Sequence, residues 1–459
     1  MSTAWVKVVT AIVVLAGALP GLASAEPPPD NPGPLAVSYG TKNPYAAQQD
    51  PATYQPPPEG FRPVFTEHVA RHGSRALSKG TDDELALRIW EQAAGENALT
   101  DAGRRFGDDV RSLHTATTTL GYGNLTERGE REHQGLATRV YQRLPDLFDR
   151  IAANKEHIAV VTSGKDRAVD SAQVFTDALA AADPAVTASI DPARTDRNLL
   201  YFHKTDAAYQ NYLDNDPRLP RTLHDITDQP RTHQVARNVL GRIFTSAFVD
   251  RLATGTYDFV ADGKHVTDEV GAVRVIYDLY AIAPAMSAEG TWQFDRIIDG
   301  ENAQWLGYLS DAAEFYRKGP AFAGDDITYR MANVLLDDLF AKLEAKRAGT
   351  SDLGAEFRFT HAEEIIPLAV LMKLPGSTRA TPPDQPFTYT GNPWRGALVA
   401  PMAANIQWDM YQRGDDYIVR MLYNEQQTAF ESGCAPINPG SYFYRVDELE
   451  RCFGRHAAS

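Results

Sequence analysis

Val69-Ala70-Arg71-His72-Gly73-Ser74-Arg75 closes an apolar-rich run, residues 61–70, that reads as a buried strand. Gly73 permits a tight backbone turn after it, and Ala76-Leu77 can open a helix. One strand end therefore carries a histidine between two arginines. Guanidinium groups are rigid, permanently charged forks suited to phosphate, and cations beside an imidazole oppose its protonation. A neutral imidazole flanked by anion clamps is equipped to attack a phosphoryl group. Taken alone, the same seven residues also fit a solvated basic turn.

Working outward, the pattern of strand, turn and helix recurs. Residues 82–94 have helical spacing, with Leu85, Ile89 and Trp90 on the apolar face; residues 101–113 and 126–150 are also helical, the latter through Leu136, Val140, Leu144 and Leu147. Residues 157–162 form a second strand, closed by Ser163-Gly164. The helix after it bears Ala168, Ala172, Phe175 and Leu179 on one face, and basic residues, Lys165 and Arg167, again stand at the turn. Residues 191–349 are dominated by helical segments (229–253, 303–317 and 325–347) and read as an inserted cap, since strands resume afterwards. The third unit is a strand over 356–360, the turn His361-Ala362-Glu363 and a helix over 364–373. Two late strands are expected at 397–401 and 417–423. Repeated units of this kind imply an α/β domain with a largely parallel sheet, in which ligands bind at the carboxyl ends of the strands, where all three ionisable turns fall.

The 459 residues suffice for one large core or two medium ones. A net charge of −15 argues against nucleic acid or an anionic membrane as partner. Locally the sign reverses: Arg62, Arg71, Arg75 and Lys79 against Glu67 sum to +3, which suits a small, highly charged anion. Lys7, the apolar run 8–19 and Ala23-Ser24-Ala25 read as an export signal over residues 1–25, cleaved after Ala25. That run is shorter than the roughly 20 residues a membrane span needs. Residues 26–60, with Pro27-Pro28-Pro29 and Pro56-Pro57-Pro58, read as an extended leader that wraps or trails the domain. The remaining boundaries are 61–190 with 350–459 for the α/β domain and 191–349 for the cap. Cys434 and Cys452, the only cysteines, are expected to pair in an exported chain, closing a loop worth roughly 3 kcal/mol on the chain-entropy estimate. They offer no metal-binding cluster.

If the three strands are neighbours, Arg71, Arg75, Arg167 and His361 surround the His72 imidazole, with the Glu363 carboxyl in reach. This is the inventory for cleaving a phosphomonoester: arginines on the equatorial oxygens, in-line attack by the imidazole, and an acid for the leaving alkoxide. Arg71-His72-Gly73-Ser74-Arg75 resembles the signature of the histidine acid phosphatases. His361-Ala362-Glu363, standing where many relatives carry His-Asp, is similar to the multiple inositol polyphosphate phosphatase branch of that family, a group of phytases. Thr162-Ser163, Arg167, Ser171 to Phe175, Trp394-Arg395-Gly396, Ala404-Asn405 and Asn424-Glu425 look similar to further blocks of the family.

The resemblance implies a three-layer α/β fold of the phosphoglycerate-mutase type with a helical cap. It implies His72 as the phosphohistidine, Arg71, Arg75, Arg167 and His361 as phosphoryl ligands, Glu363 as proton donor, and Lys79 as a contact for other substrate phosphates. Inositol hexakisphosphate is the substrate it implies, without metal or cofactor, in a secreted or periplasmic enzyme. Leu77-Ser78 departs from a proline found in many relatives, which leaves the path of that loop open. Also open are Glu364 in place of Glu363, Lys79 and Lys165 as plain solvated charges, a broad acid phosphatase acting on sugar or other monoesters, and a polyanion-binding protein without turnover.

Overall fold

Alternation along the first strand decides how the layers assemble. In β1 (Arg62–Arg71), Phe65 and Val69 face one core, whereas His68 and Ala70 face the other, and all four are buried. The computed structural model describes residues 38–455. The export signal expected over residues 1–25 and the first part of the leader lie outside them.

Helices α1 (Thr81–Gly95), α2 (Asp101–Leu120), α3 (Glu127–Arg143) and α4 (Pro145–Asn154) separate β1 from β2 (His157–Thr162). The continuous helix expected over 126–150 is broken, because Pro145 has no backbone N–H to donate and instead starts α4. After α5 (Asp166–Ala182) comes the two-residue β3 (Arg194–Thr195), then a helical stretch interrupted by the hairpin β4 (Phe259–Ala261) and β5 (Lys264–Val266). Its longest helices are α6 (Pro230–Ile243), α7 (Glu269–Ile282), α8 (Gly300–Lys318) and α9 (Asn333–Arg347). The helix expected over 229–253 ends early: Phe244 bridges to Leu99, and Thr245 N–H bonds the Ala98 carbonyl at 2.7 Å, so tertiary hydrogen bonds displace helical ones. The helix expected over 325–347 begins only at Asn333, after a 3-10 turn. α1 packs on α7 and on β4, and α2 packs on α6, so helices from the first part of the chain join those of the insertion.

β6 (Leu353–Thr360) and α10 (Ala362–Leu371) form the third strand-helix unit. The strand expected at 397–401 is instead the short helix Gly396–Val399, and the true strand, β7 (Asn405–Arg413), follows it. β7 alternates buried polar residues, Asn405, Gln407 and Asp409, with apolar ones, so it lacks a plain apolar run. β8 (Asp416–Tyr423), β9 (Gln426–Thr428) and β10 (Phe443–Arg445) complete the sheet.

The sheet runs β10-β8-β7-β1-β6-β2-β3, with β9 on β8. Only β1, β6, β2 and β3 are mutually parallel; β7 to β10 pair antiparallel, so the sheet is mixed rather than largely parallel. β7 to β8 and β8 to β9 are joined by short turns, which force antiparallel pairing. Ala355, Phe357 and Phe359 of β6 pack against α3, α4 and α5 on one face, and α9, α10 and the inserted helices cover the other. The described residues belong to one compact unit. Cys434 and Cys452 are joined as a disulfide.

Candidate active site

Because β1 lies between β6 and β7, and β6 pairs with β2, the turns after β1, β2 and β6 share one edge. The sequence could not supply this strand order; it could only supply the turns. His72 N–H bonds the Thr360 carbonyl at 2.9 Å, which ties the first turn to the third. Ser171 on α5 accepts from Gly73 N–H at 3.2 Å, tying it to the second. A Cβ on Gly73 would lie 2.6 Å from the Gly129 carbonyl oxygen, so backbone meets backbone here and glycine is required.

His72 is buried, and its Nδ1 lies 2.9 Å from the Gly73 carbonyl. A carbonyl can only accept, so Nδ1 carries the proton and Nε2 keeps its lone pair. Burial first, then the charges of Arg167 and Arg71 and the neighbouring His361, Arg75 imidazole and guanidinium, hold its pKa well below the usual histidine value. These causes favour the neutral imidazole, with the Nε2 lone pair available.

Arg71 Nη1 donates to the Thr41 carbonyl at 2.5 Å and to the Ala400 carbonyl at 2.7 Å. Arg75 Nη1 donates to the Ala76 carbonyl at 2.7 Å. Burial pushes Arg71 down to about 10; burial and repulsion from Arg167 and Arg71 push Arg75 down to about 9. Burial also lowers Arg167. His361 Nε2 is engaged by Ser163 Oγ at 2.8 Å. Its pKa is well below normal, through burial and then Arg167. The buried donor atoms Arg71 Nε, Arg75 Nε, Arg167 Nε and His361 Nδ1 have no protein partner. Burying guanidinium groups with unused donors is costly unless an anion accepts from them.

The structure separates the two candidate carboxyl groups. Glu364 is fully buried, with one oxygen 2.5 Å from His203 Nδ1 and the other accepting from Thr360 Oγ1 at 2.9 Å. Glu363 keeps 30% side-chain exposure and pairs with Lys318 Nζ at 3.0 Å. Burial alone would raise the Glu363 pKa, but Lys318, His203 and His361 together hold it well below the usual range. Lys79 stands apart from this cluster: it is 63% exposed and paired to Asp262 on the β4–β5 turn at 3.0 Å. Tyr201, whose ring lies 5.3 Å from that of His361, carries Arg197 and Lys165 over its face.

Sequence reading missed Thr41, His203, Lys318 and its partner Glu314. Only the last two left a signal, an i,i+4 pair at the end of a helix, and that pattern is common on surfaces. Among the described residues one group has metal-ligand spacing, Glu431 with Cys434 and Cys452, and its sulfurs are in the disulfide.

A multiple inositol polyphosphate phosphatase of Bifidobacterium longum, solved with inositol hexasulfate, superposes with a TM-score of 0.87 at 31% identity, covering 92% of this chain and 99% of that one. Its phosphate complex gives a TM-score of 0.88. The phytase of D. castellii shares the fold, with a TM-score of 0.67 at 14% identity over 93% of this chain and 86% of that one. The human multiple inositol polyphosphate phosphatase 1 is 23% identical over 326 residues, 66% of this chain, which thereby spans 61% of the human protein's length. The profile of the histidine phosphatase superfamily (branch 2) matches residues 65–424, a stretch that opens within β1 and closes just after β8, and the chain belongs to that family.

Proposed function

We propose that this protein is an exported phosphomonoesterase that removes phosphate from inositol polyphosphates through a phosphohistidine. The observation that carries this reading is the set of unpartnered buried donors around a histidine whose attacking nitrogen is free. Arg71, Arg75, Arg167 and His361 take the non-bridging oxygens and neutralise the charge that develops on them. His72 Nε2 forms the N–P bond as the P–O ester bond breaks, and Glu363 delivers its proton to the departing alkoxide. Glu363 then takes a proton from water as that water attacks phosphorus and releases His72. The arginines supply the charge compensation, so the step calls for no metal.

Inositol polyphosphate as substrate rests on the Bifidobacterium relative, whose structures hold inositol hexasulfate and phosphate. Lys165, Arg197 and Lys79, the last after leaving Asp262, are the rim cations available to further phosphates. Export rests on the signal pattern in residues 1–25 and on the disulfide. Among the described residues no helix is long and apolar enough to cross a membrane.

Phosphate release from phytate at acidic pH, with chelator present, tests the reading in wild type and His72→Ala. Release by wild type alone is expected. Release by both would remove the phosphohistidine. A folded wild type that binds phytate without releasing phosphate would leave only a polyanion-binding protein, and preference for glucose 1-phosphate would make it a broad acid phosphatase.

A further inference from the structure

A proton donor must hold a proton, yet Glu363 is clamped by a cation. Lys318 Nζ sits between Glu314 Oε2 at 2.6 Å and Glu363 Oε1 at 3.0 Å. It is the only ion-pair partner of Glu363 among the described residues. Lys318 is the last residue of α8, 14% exposed, on a long flexible stem. Glu314 belongs to the same pocket, since it and Glu363 both act electrostatically on Arg71 and Arg75.

We propose that Lys318 is a specificity-determining residue: it clamps Glu363 until a neighbouring phosphate of a polyphosphorylated substrate draws it away, freeing Glu363 to carry the proton. This deepens the proposed function and rests on it. A substrate with one phosphate fills the arginine cluster and leaves Lys318 on Glu363. A substrate with an adjacent phosphate offers Lys318 a dianion in exchange, so substrate charge is read in turnover as well as in affinity.

The other groups facing Glu363, Arg167 excepted, are held by partners of their own. Its own element contributes His361, bound to Ser163, and Glu364, bound to His203. From the segment before α6 come His203 itself, the Tyr201 ring against it, and Tyr209, whose hydroxyl donates to the Arg317 carbonyl. Arg71 and Arg75 are held on backbone carbonyls, and Arg167 stands in the first turn of α5. Lys318, shared between two carboxylates, is the one contact a phosphate can exchange. Removing it removes the largest force lowering the Glu363 pKa, so the donor keeps its proton to higher pH.

The test compares wild type, Lys318→Met and Glu314→Gln on phytate, glycerol 2-phosphate and 4-nitrophenyl phosphate across pH. The nitrophenolate leaving group needs no proton, so continued turnover of that ester reports a folded site. In Lys318→Met the alkaline limb for glycerol 2-phosphate should move up by about one pH unit or more. Its phytate-to-glycerol-phosphate ratio of kcat/KM should fall about tenfold. Glu314→Gln leaves Lys318 to Glu363 alone and should move the limb down. If Lys318→Met does not fold, Glu314→Gln decides by the direction of that shift. An unmoved limb and an unchanged ratio in an active enzyme would overturn the inference alone. A wild type that hydrolyses none of the three esters would overturn the phosphatase reading itself.

Discussion

His72 is prepared by neighbours of opposite kind: the Gly73 carbonyl takes the Nδ1 proton, while burial and the arginines keep Nε2 bare. Such residue-level chemistry was largely legible. Two arginines around a histidine, an arginine after the second strand and His-Ala-Glu after the third need only local order to be recognised. Lys318 was not legible, because which residues meet at Glu363 depends on how α8 lies over the sheet edge. In the proposed mechanism the Glu363 proton matters only when the leaving group is a poor one. Glu363→Gln should therefore cost phytate turnover about 10²- to 10⁴-fold and spare 4-nitrophenyl phosphate, as steady-state kinetics on both would show. Equal losses would remove the acid role. The same assignments bound the pH profile. The depressed His72 pKa lets the nucleophile act in acid, and the low Glu363 pKa closes the window on the alkaline side. A bound phosphate dianion raises Glu363 and widens that window on its alkaline side.

Among the elements, the leader is the one whose path the sequence left open between wrapping and trailing the domain, and residues 41–48 lie bonded along it. Its prolines mark an extended chain, but nothing local shows that it straps the catalytic edge. The Thr41 carbonyl holds Arg71, the Asn43 carbonyl accepts from Met402 N–H at 2.9 Å, and Gln48 N–H bonds the Asn424 carbonyl at 3.2 Å. Tyr45 donates its N–H to Glu132 at 2.9 Å and its hydroxyl to Glu425 at 2.9 Å. These contacts span from 30 to 380 residues of sequence, and periodicity carries no record of them. β7 was missed for a related reason, since its buried Asn405, Gln407 and Asp409 find their partners only in the folded sheet. Glu132 of α3 joins leader and signature loop, for it also accepts from Ser74 N–H at 2.7 Å and Ser74 Oγ at 2.8 Å. Glu132→Ala leaves three buried donors without that acceptor. It should lower stability by about 2–4 kcal/mol and, by loosening Ser74 beside Arg75, lower kcat/KM about 10²-fold. Thermal unfolding and steady-state kinetics measure the two losses. A loss of stability with kcat/KM intact would mean that the strap holds the fold but does not position the site.

At the scale of the whole molecule, the basic pocket is set in a body of net charge −15, and the sheet buries ionisable groups on both faces. The strand-turn-helix repeat announced the α/β class; the order β7-β1-β6-β2, which brings three turns to one edge, emerges only from packing. Burying titratable groups makes stability depend on pH with opposing signs. His133 is fully buried against Phe359, and burial pushes its pKa down to about 3. The unfolded chain then binds a proton that the native state refuses, so this residue withdraws stability as pH falls below about 6.5 and continues to do so to about 3. Asp311, buried beneath Tyr389 and the Gly396 N–H, is pushed up to about 7, chiefly by burial. Its native carboxyl holds a proton that the unfolded one releases, so it adds stability as pH falls from about 7 to about 4. Over that interval the two oppose each other, each with a limiting slope of about 1.4 kcal/mol per pH unit, which tempers the acid sensitivity of a protein proposed to work in acid. Urea unfolding at pH 7, 5.5 and 4 separates them. Relative to wild type, His133→Met should gain stability as pH falls and Asp311→Asn should lose it. Curves that stay parallel to wild type in either variant would show that the corresponding group titrates alike in the folded and unfolded chains, and that the compensation lies elsewhere.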